Sequence, residues 1–145
     1  MAAIDLMAPT FLAFGDVEEA LRKWKPVFAG LLARGVGPGH EDSHAAAYLR
    51  AGYGDAGAEI ASRMAAGDAA GAAASVAHGF VLQTRLAGDD DMVRARVRAH
   101  QDAGVTTLQV CVSKRPLTRK LTDLARLQRI VAEAAAEAVI PAVGN

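Results

Sequence analysis

Two histidines and a glutamate in one short segment have the types and spacing of a zinc-hydrolase motif. The segment HEDSH at 40–44 fits the H-E-x-x-H pattern, in which one helix face presents two imidazoles to zinc, with a carboxylate base between them. His40 and His44 would be ligands, and Glu59 is a candidate third ligand. A Pro-Gly pair directly before His40 places that histidine at or before the start of any helix. The segment is predicted either as a zinc site or, as the Pro-Gly pair favours, as a polar loop that enters a helix.

A basic loop is the second candidate for chemistry. Ser113, Lys114 and Arg115 follow a run rich in β-branched residues, VTTLQVCV at 105–112. The two cationic side chains could bind a phosphate group, since Arg and Lys both recognise phosphate oxygens. The alternative is a solvated charge pair that leads into a helix started by Pro116.

Other polar and aromatic residues are interpreted as structural. Cys111, the only cysteine, lies in the apolar run without a nearby basic or histidine neighbour to lower its pKa, so we expect a core thiol. The arginines at 94, 96 and 98 alternate with Val and Ala and are expected on the outer face of a helix. Trp24, Phe28 and Tyr53 are predicted to be packing residues.

Composition limits the class of protein. The 145 residues are 52% hydrophobic and carry no net charge, which is enough apolar surface for a core and gives no general attraction to nucleic acid or anionic lipid. Charges interrupt every apolar run before the roughly 20 residues that a membrane span requires. The N-terminus lacks the basic start of a signal peptide, and a lone cysteine forms no internal disulfide. A cytoplasmic protein of bacterial composition is expected, without a nucleic-acid or membrane partner.

Hydrophobic patterning predicts a helix-rich α/β fold in one domain spanning 1–145. The near-continuous apolar run at 8–14 predicts a buried parallel strand, and 105–112 predicts a second strand. Pro26 should kink or interrupt the first helix. The segment 80–86 is left open between helix and strand. The predicted elements are a strand at about 8–14, a helical insertion at about 17–76, a helix at about 89–103, a strand at about 105–112 and a helix at about 118–139.

The two predicted strands leave a very small sheet with open edges. Further strands, on this or another polypeptide, or a partner chain should cover them. The last helix is expected to carry its apolar residues on one stripe. Its members are Leu117, Leu121, Leu124, Val131, Ala135 and Ala138.

Four stretches of the chain, taken in order, resemble one family. They are APTFLAFGDVEEALRKWKPVFAGLL from Ala8, GYGDAGAEIASRMAAGD from Gly52, AAASV from Ala72, and AGDDDMVRARVRAHQDAGVTTLQV from Ala87. Together they are similar to the final third of the luciferase-like oxidoreductases, (β/α)8 barrels that use FMN or the deazaflavin coenzyme F-420. The sharpest piece runs from Gly88 to Val110.

The resemblance implies a partial (β/α)8 TIM barrel, namely its last two strand–helix units with a helical insertion between them. Phosphate sites in such barrels often lie after strands seven and eight, which points to Ser113, Lys114 and Arg115. Most of the coenzyme site belongs to earlier strands with no counterpart here, so no catalytic residue is carried over. The implied function is a segment of an FMN- or F-420-dependent oxidoreductase with a small-molecule substrate. The alternatives are a non-catalytic remnant that forms a homo-oligomer or pairs with a paralogue, and a zinc hydrolase.

Overall fold

The computed structural model describes residues 5–34, 44–53, 56–112 and 116–139. Three strands form one parallel sheet: β1 (Met7–Phe14), β2 (Leu86–Gly88) and β3 (Thr107–Val112). The seven helices in this part of the chain are α1 (Val17–Ala33), α2 (His44–Tyr48), α3 (Ala56–Ala65), α4 (Ala69–Ser75), α5 (His78–Gln83), α6 (Asp90–Asp102) and α7 (Leu117–Val139). A wide π-helical turn, Leu49–Tyr53, continues from α2.

The helix-rich α/β class with a parallel sheet is confirmed, and β1, α6, β3 and α7 begin and end close to the predicted ranges. The segment left open at 80–86 divides into the end of α5 and the start of β2. Of the kink or interruption predicted at Pro26, the interruption does not occur, because α1 continues through it. Pro26 and Arg22 are both exposed, so water can bond the Arg22 carbonyl that lacks a helical N–H partner.

Strand order is β2-β1-β3, with β1 in the centre. β1 and β3 pair over six residues, from Met7 opposite Thr107 to Leu12 opposite Val112. β2 pairs with the last three residues of β1. In a closed (β/α)8 barrel, strands that are consecutive in the chain are neighbours; the two predicted strands, β1 and β3, are neighbours here, and β2 lies on the other side of β1.

The chain divides into two compact units, Met1–Val17 with Arg85–Asn145, and Glu18–Thr84. The first contains the sheet with α6 and α7. Its core includes Leu12, Phe14, Leu86, Val93, Val97, Leu127 and Ile130. The alternating burial of β1 shows how this core forms, because Thr10, Leu12 and Phe14 point to one face and are at most 2% exposed.

The second unit has an aromatic core. The Phe80 ring lies 4.7 Å from Tyr48 and 5.1 Å from Phe28, both edge to face, and the Tyr48 hydroxyl accepts a 3.1 Å bond from the Ala77 N–H. Trp24 is also buried and Tyr53 stacks on Tyr48, so the packing roles expected for the aromatic residues are confirmed. Among the described residues, no helix combines the length and apolar character needed to span a bilayer.

Candidate functional site at the carboxyl edge of the sheet

The carboxyl ends of β1 and β2 meet at one edge of the sheet. Phe14 and Gly88, the last residues of the two strands, are register partners. Beyond them the Gly15 N–H donates a 3.1 Å bond to the Gly88 carbonyl. Both glycines have positive φ, 128° and 108°, which lets each strand turn sharply toward the helix that follows.

The start of α6, at this edge of the sheet, carries carboxylate side chains of its own. Asp89 caps the helix, with its Oδ1 accepting a 2.9 Å bond from the Met92 N–H. Asp90 and Asp91 occupy the first turn. Carboxylates at a helix N-terminus satisfy free N–H groups and the positive end of the dipole. A phosphate would therefore meet negative charge here.

An arginine from α7 reaches back to the same edge. The Arg126 guanidinium lies 4.2 Å from the Phe14 ring centroid, and its Nε lies 2.5 Å from Asp90 Oδ1. The second Asp90 oxygen lies 3.2 Å from Arg129. Asp90 and Arg126 stand 36 residues apart, so no local pattern reveals the pair, and sequence reasoning missed it.

The start of α7 differs from that of α6, since its first turn has no acidic residue. Its first hydrogen bond runs 3.1 Å from the Lys120 N–H to the Pro116 carbonyl. One turn on, Arg119 Nε lies 3.1 Å from Asp123, whose carboxylate is 4% exposed. The positive end of the α7 dipole thus faces the carboxyl edge with basic side chains close by in sequence. The predicted phosphate-binding residues Ser113, Lys114 and Arg115 lie outside the described residues, so their role stays a prediction.

The zinc-motif residues are only partly described. His40 and Glu41 lie outside the described residues, and His44 is exposed at the first position of α2. Glu59 accepts bonds from Arg63 (2.9 Å) and the Ser75 hydroxyl (3.1 Å), which lower the pKa of its carboxyl. Within the described ranges, no three His, Cys, Asp or Glu side chains could hold a metal ion. The zinc site stays a prediction.

A groove of about 430 Å³ lies on the helix-covered side of β3. Its floor includes Leu108 and Val110, and α7 provides one wall through Gln128, Val131 and Ala135. His100 closes the end near the last turn of α6. Its Nδ1 lies 2.8 Å from the Arg96 carbonyl; because a carbonyl only accepts, Nδ1 carries the proton and Nε2 is an acceptor in the neutral ring.

One sequence expectation in this unit is wrong, and another holds only in part. Cys111 is exposed, because alternate residues of β3 point away from α6 and α7 and no described residue buries this side chain. Arg98 is exposed as expected, but Arg94 is only 24% exposed, and the two pair with Glu137 and Glu133 of α7. A mostly apolar run identifies a strand, but it does not reveal which face another element covers.

The stripe expected on α7 is only one of two apolar stripes on this helix. The buried residues of this helix are Asp123, Leu127, Ile130 and Ala134. Leu117 and Leu121, at the start of the expected stripe, are 70% and 58% exposed. α7 therefore has two apolar stripes side by side, and the predicted one is exposed at Leu117 and Leu121, whereas its Val131 packs against the core cluster.

No protein-family model, curated protein or solved structure matches this chain. The assignment of a function consequently depends on the geometry of the sheet edge and on the residues around it.

Proposed function

We propose that this chain is a segment of a luciferase-like oxidoreductase and that the carboxyl edge of its sheet holds the phosphate end of FMN or F-420. One observation supports this most: all three strands are parallel, so their carboxyl ends and the starts of α6 and α7 converge. Ligands of parallel α/β proteins bind at that edge.

The start of α7 is the part of the edge that suits a phosphate. Its dipole is not compensated by a carboxylate in the first turn, and exposed N–H groups at such an end attract anions. Lys114 and Arg115 immediately precede the helix in sequence. The start of α6 is the opposite case, since Asp89, Asp90 and Asp91 surround it with negative charge.

The coenzyme itself would supply the hydride or oxygen chemistry. The contribution of this chain is to anchor the phosphate and fix the position of the ring relative to the sheet. Three strands are too few to enclose a ring system, because a barrel closes only with about eight. Strands that complete the sheet on another polypeptide, or elsewhere in a longer chain, are part of the proposal, as is a small-molecule substrate.

Coenzyme titration tests the anchor. We expect micromolar binding of FMN or F-420, followed by coenzyme fluorescence, and at least tenfold weaker binding of riboflavin, which lacks the phosphate. Lys114→Ala with Arg115→Ala should weaken FMN binding at least tenfold, since each charged contact contributes about 1.5–3 kcal/mol. Arg22→Ala, an exposed arginine on α1, is the matched control and should bind like the unaltered chain.

If the folded chain binds neither coenzyme, or if riboflavin binds as tightly as FMN, the phosphate anchor is wrong. If the Arg22 control weakens binding as much as the double variant, general charge attraction explains the effect.

A second candidate, a self-associating remnant without coenzyme, is favoured by the outward stripe of α7. Large apolar side chains that are 58% and 70% exposed, next to an edge strand, are typical of a surface that another protein covers. The mass of the purified chain without coenzyme distinguishes the two candidates. A stable oligomer that binds neither FMN nor F-420 supports the self-associating remnant and contradicts the coenzyme-binding segment.

A further inference from the structure

The outward stripe of α7 has the spacing of a helix-pairing surface. Its residues, called the α7 seam below, recur at intervals of four, three, four, three and four, which is the 3.5-residue period of coiled-coil contacts. The seam begins with the most exposed leucines of the helix and ends beside the groove. Its members are Leu117, Leu121, Leu124, Gln128, Val131 and Ala135.

The seam continues into two other uncovered features. Its later residues, from Gln128 onward, form one wall of the 430 Å³ groove, whose floor is Leu108 and Val110 of β3. β3 ends the sheet, and its outer edge pairs with no strand in the part of the chain that the structure describes. Seam, groove and strand edge therefore form one continuous surface.

We propose that a second copy of this chain docks on this surface across a two-fold axis, with β3 antiparallel to the partner's β3 and α7 antiparallel to the partner's α7. The proposal rests on self-association, the second candidate function above, and needs no coenzyme. It names the elements that the two copies bury and the way they are oriented.

The positions of the element midpoints favour this symmetry. Gln128 is equally far in sequence from the two ends of α7, Leu117 and Val139, and the centre of β3 falls between Gln109 and Val110. Gln128 and Val110 line the same groove, so one axis can pass near both midpoints. Two helices about 8–10 Å apart span about two strand spacings of 4.8 Å, which lets strands and helices pair together.

Side-chain sizes along the seam favour an antiparallel helix pair. The large residues, Leu117, Leu121 and Leu124, all precede Gln128, and the smaller Val131 and Ala135 follow it. Antiparallel pairing about Gln128 sets leucines against the small residues, whereas parallel pairing would set leucine against leucine. At the axis, two carboxamides can exchange hydrogen bonds, because each has donors and an acceptor. A central polar pair of this kind fixes the register of paired helices.

The available area suits a weak but specific dimer. α7 has 23 residues, so it is about 35 Å long and presents a strip about 10 Å wide. With the strand edge of about 20 Å, the surface is on the order of 500 Å² per copy. The total of about 1,000 Å² reaches the lower bound for specific interfaces, so we expect dissociation in the micromolar range.

Sedimentation equilibrium tests the dimer and the seam. The unaltered chain at tens of micromolar should have twice its 15.0 kDa mass. Leu121→Glu puts two charges into the paired seam and should raise the dimer dissociation constant at least tenfold, with unchanged circular dichroism. Leu49→Glu alters a residue of similar exposure, 52%, outside the surface, and should leave the dimer intact.

Disulfide trapping tests the strand pairing. A two-fold axis normal to the sheet must pass at Gln109 or Val110, since paired residues share a face. Gln109→Cys would then lie opposite its own copy or opposite the partner's Cys111, so it should form a covalent dimer in either register. The unaltered chain, which has only Cys111, should not form a covalent dimer. The Cα atoms of Cys111 in the two copies stay about 8 Å or more apart in either register. Ala58→Cys, exposed on α3, is the control and should stay monomeric on oxidation.

The outcomes distinguish a dimer formed through this surface from self-association through another surface. A chain that remains monomeric at tens of micromolar overturns both. A dimer that survives Leu121→Glu, or that Gln109→Cys does not crosslink, overturns this surface and leaves self-association standing.

Discussion

Gly88 holds the end of β2 in a backbone conformation that other residues adopt only with strain. Its φ is 108°, and a Cβ at this position would lie 2.6 Å from Met92 Sδ. Gly88→Ala should therefore combine backbone strain with an overlap that the flexible Met92 side chain partly relieves by rotating, and lower the free energy of unfolding by about 1–3 kcal/mol in urea titrations. Gly15→Ala has positive φ and open space, so it should cost only the strain.

A second variant tests the overlap between the added Cβ and Met92. Met92→Ala should recover part of the loss in the Gly88→Ala background, because it removes the clashing sulfur. Equal losses at Gly15 and Gly88, with no recovery, would show that packing against Met92 has no role.

A cluster of charges between α3 and α4 should make the chain sensitive to acid. Hydrogen bonding to Arg63 and then Ser75 lowers the pKa of Glu59, and hydrogen bonding to the Gly71 N–H and then Arg63 lowers the pKa of Asp68. Carboxyls whose pKa is lowered by folding stabilise the folded state above their unfolded values of 4.5 and 3.8. That contribution is lost as the pH falls through the lower folded values.

Urea unfolding between pH 7 and pH 3 measures this loss. Arg63→Gln should flatten the decline below about pH 4.5, because the carboxyls then titrate closer to their unfolded values. Arg22→Gln, on α1, should leave the pH profile as it is. Parallel profiles for Arg63→Gln and the unaltered chain would contradict the assignment.

At the scale of elements, ion pairs connect α6 with α7. Arg94, 24% exposed, bonds Glu133 at 2.6 Å, and this interaction raises the pKa of the guanidinium. A double-mutant cycle with Arg94→Ala and Glu133→Ala should give a favourable coupling that 0.5 M salt reduces. The Arg98–Glu137 pair, about half exposed on both sides, should give a smaller value. A coupling near zero for Arg94 would mean that its pair with Glu133 does not help to join the helices.

Local sequence patterns predicted where the strands and helices lie better than they predicted which of their faces other elements cover. β1 and β3 could be recognised because apolar and β-branched residues dominate both runs. β2 was missed because three residues, Leu86–Gly88, are too few to show a period. Two apolar stripes share α7, and the sequence pattern identified only one of them, because only membership of the core cluster with Leu12 and Phe14 distinguishes the inner stripe. Asp90 and Arg126 meet because segments that are distant in sequence pack together, and no short stretch of the sequence contains both residues.

At the scale of the whole molecule, each compact unit has its own core. Leu12 (2% exposed) belongs to the first unit and Ile60 (0% exposed) to the second. Leu12→Ala should lower hydrogen-exchange protection mainly in β1, β3 and α7, by up to about 2–5 kcal/mol. Ile60→Ala should do the same mainly in α3 and α4. If either change lowers protection equally throughout, the chain unfolds as one cooperative body.

The central position of β1 has a consequence for synthesis on the ribosome. Leu12 pairs with Val112, one hundred residues later in the chain. At about 5–20 residues per second, β1 waits roughly 5–20 s for this partner, while all of Glu18–Thr84 emerges between them. Both edges of this apolar strand stay open until Leu86–Gly88 emerge, and the edge that pairs with β3 stays open for the whole interval. It is then a target for chaperones and for mispairing with neighbouring chains on the same message.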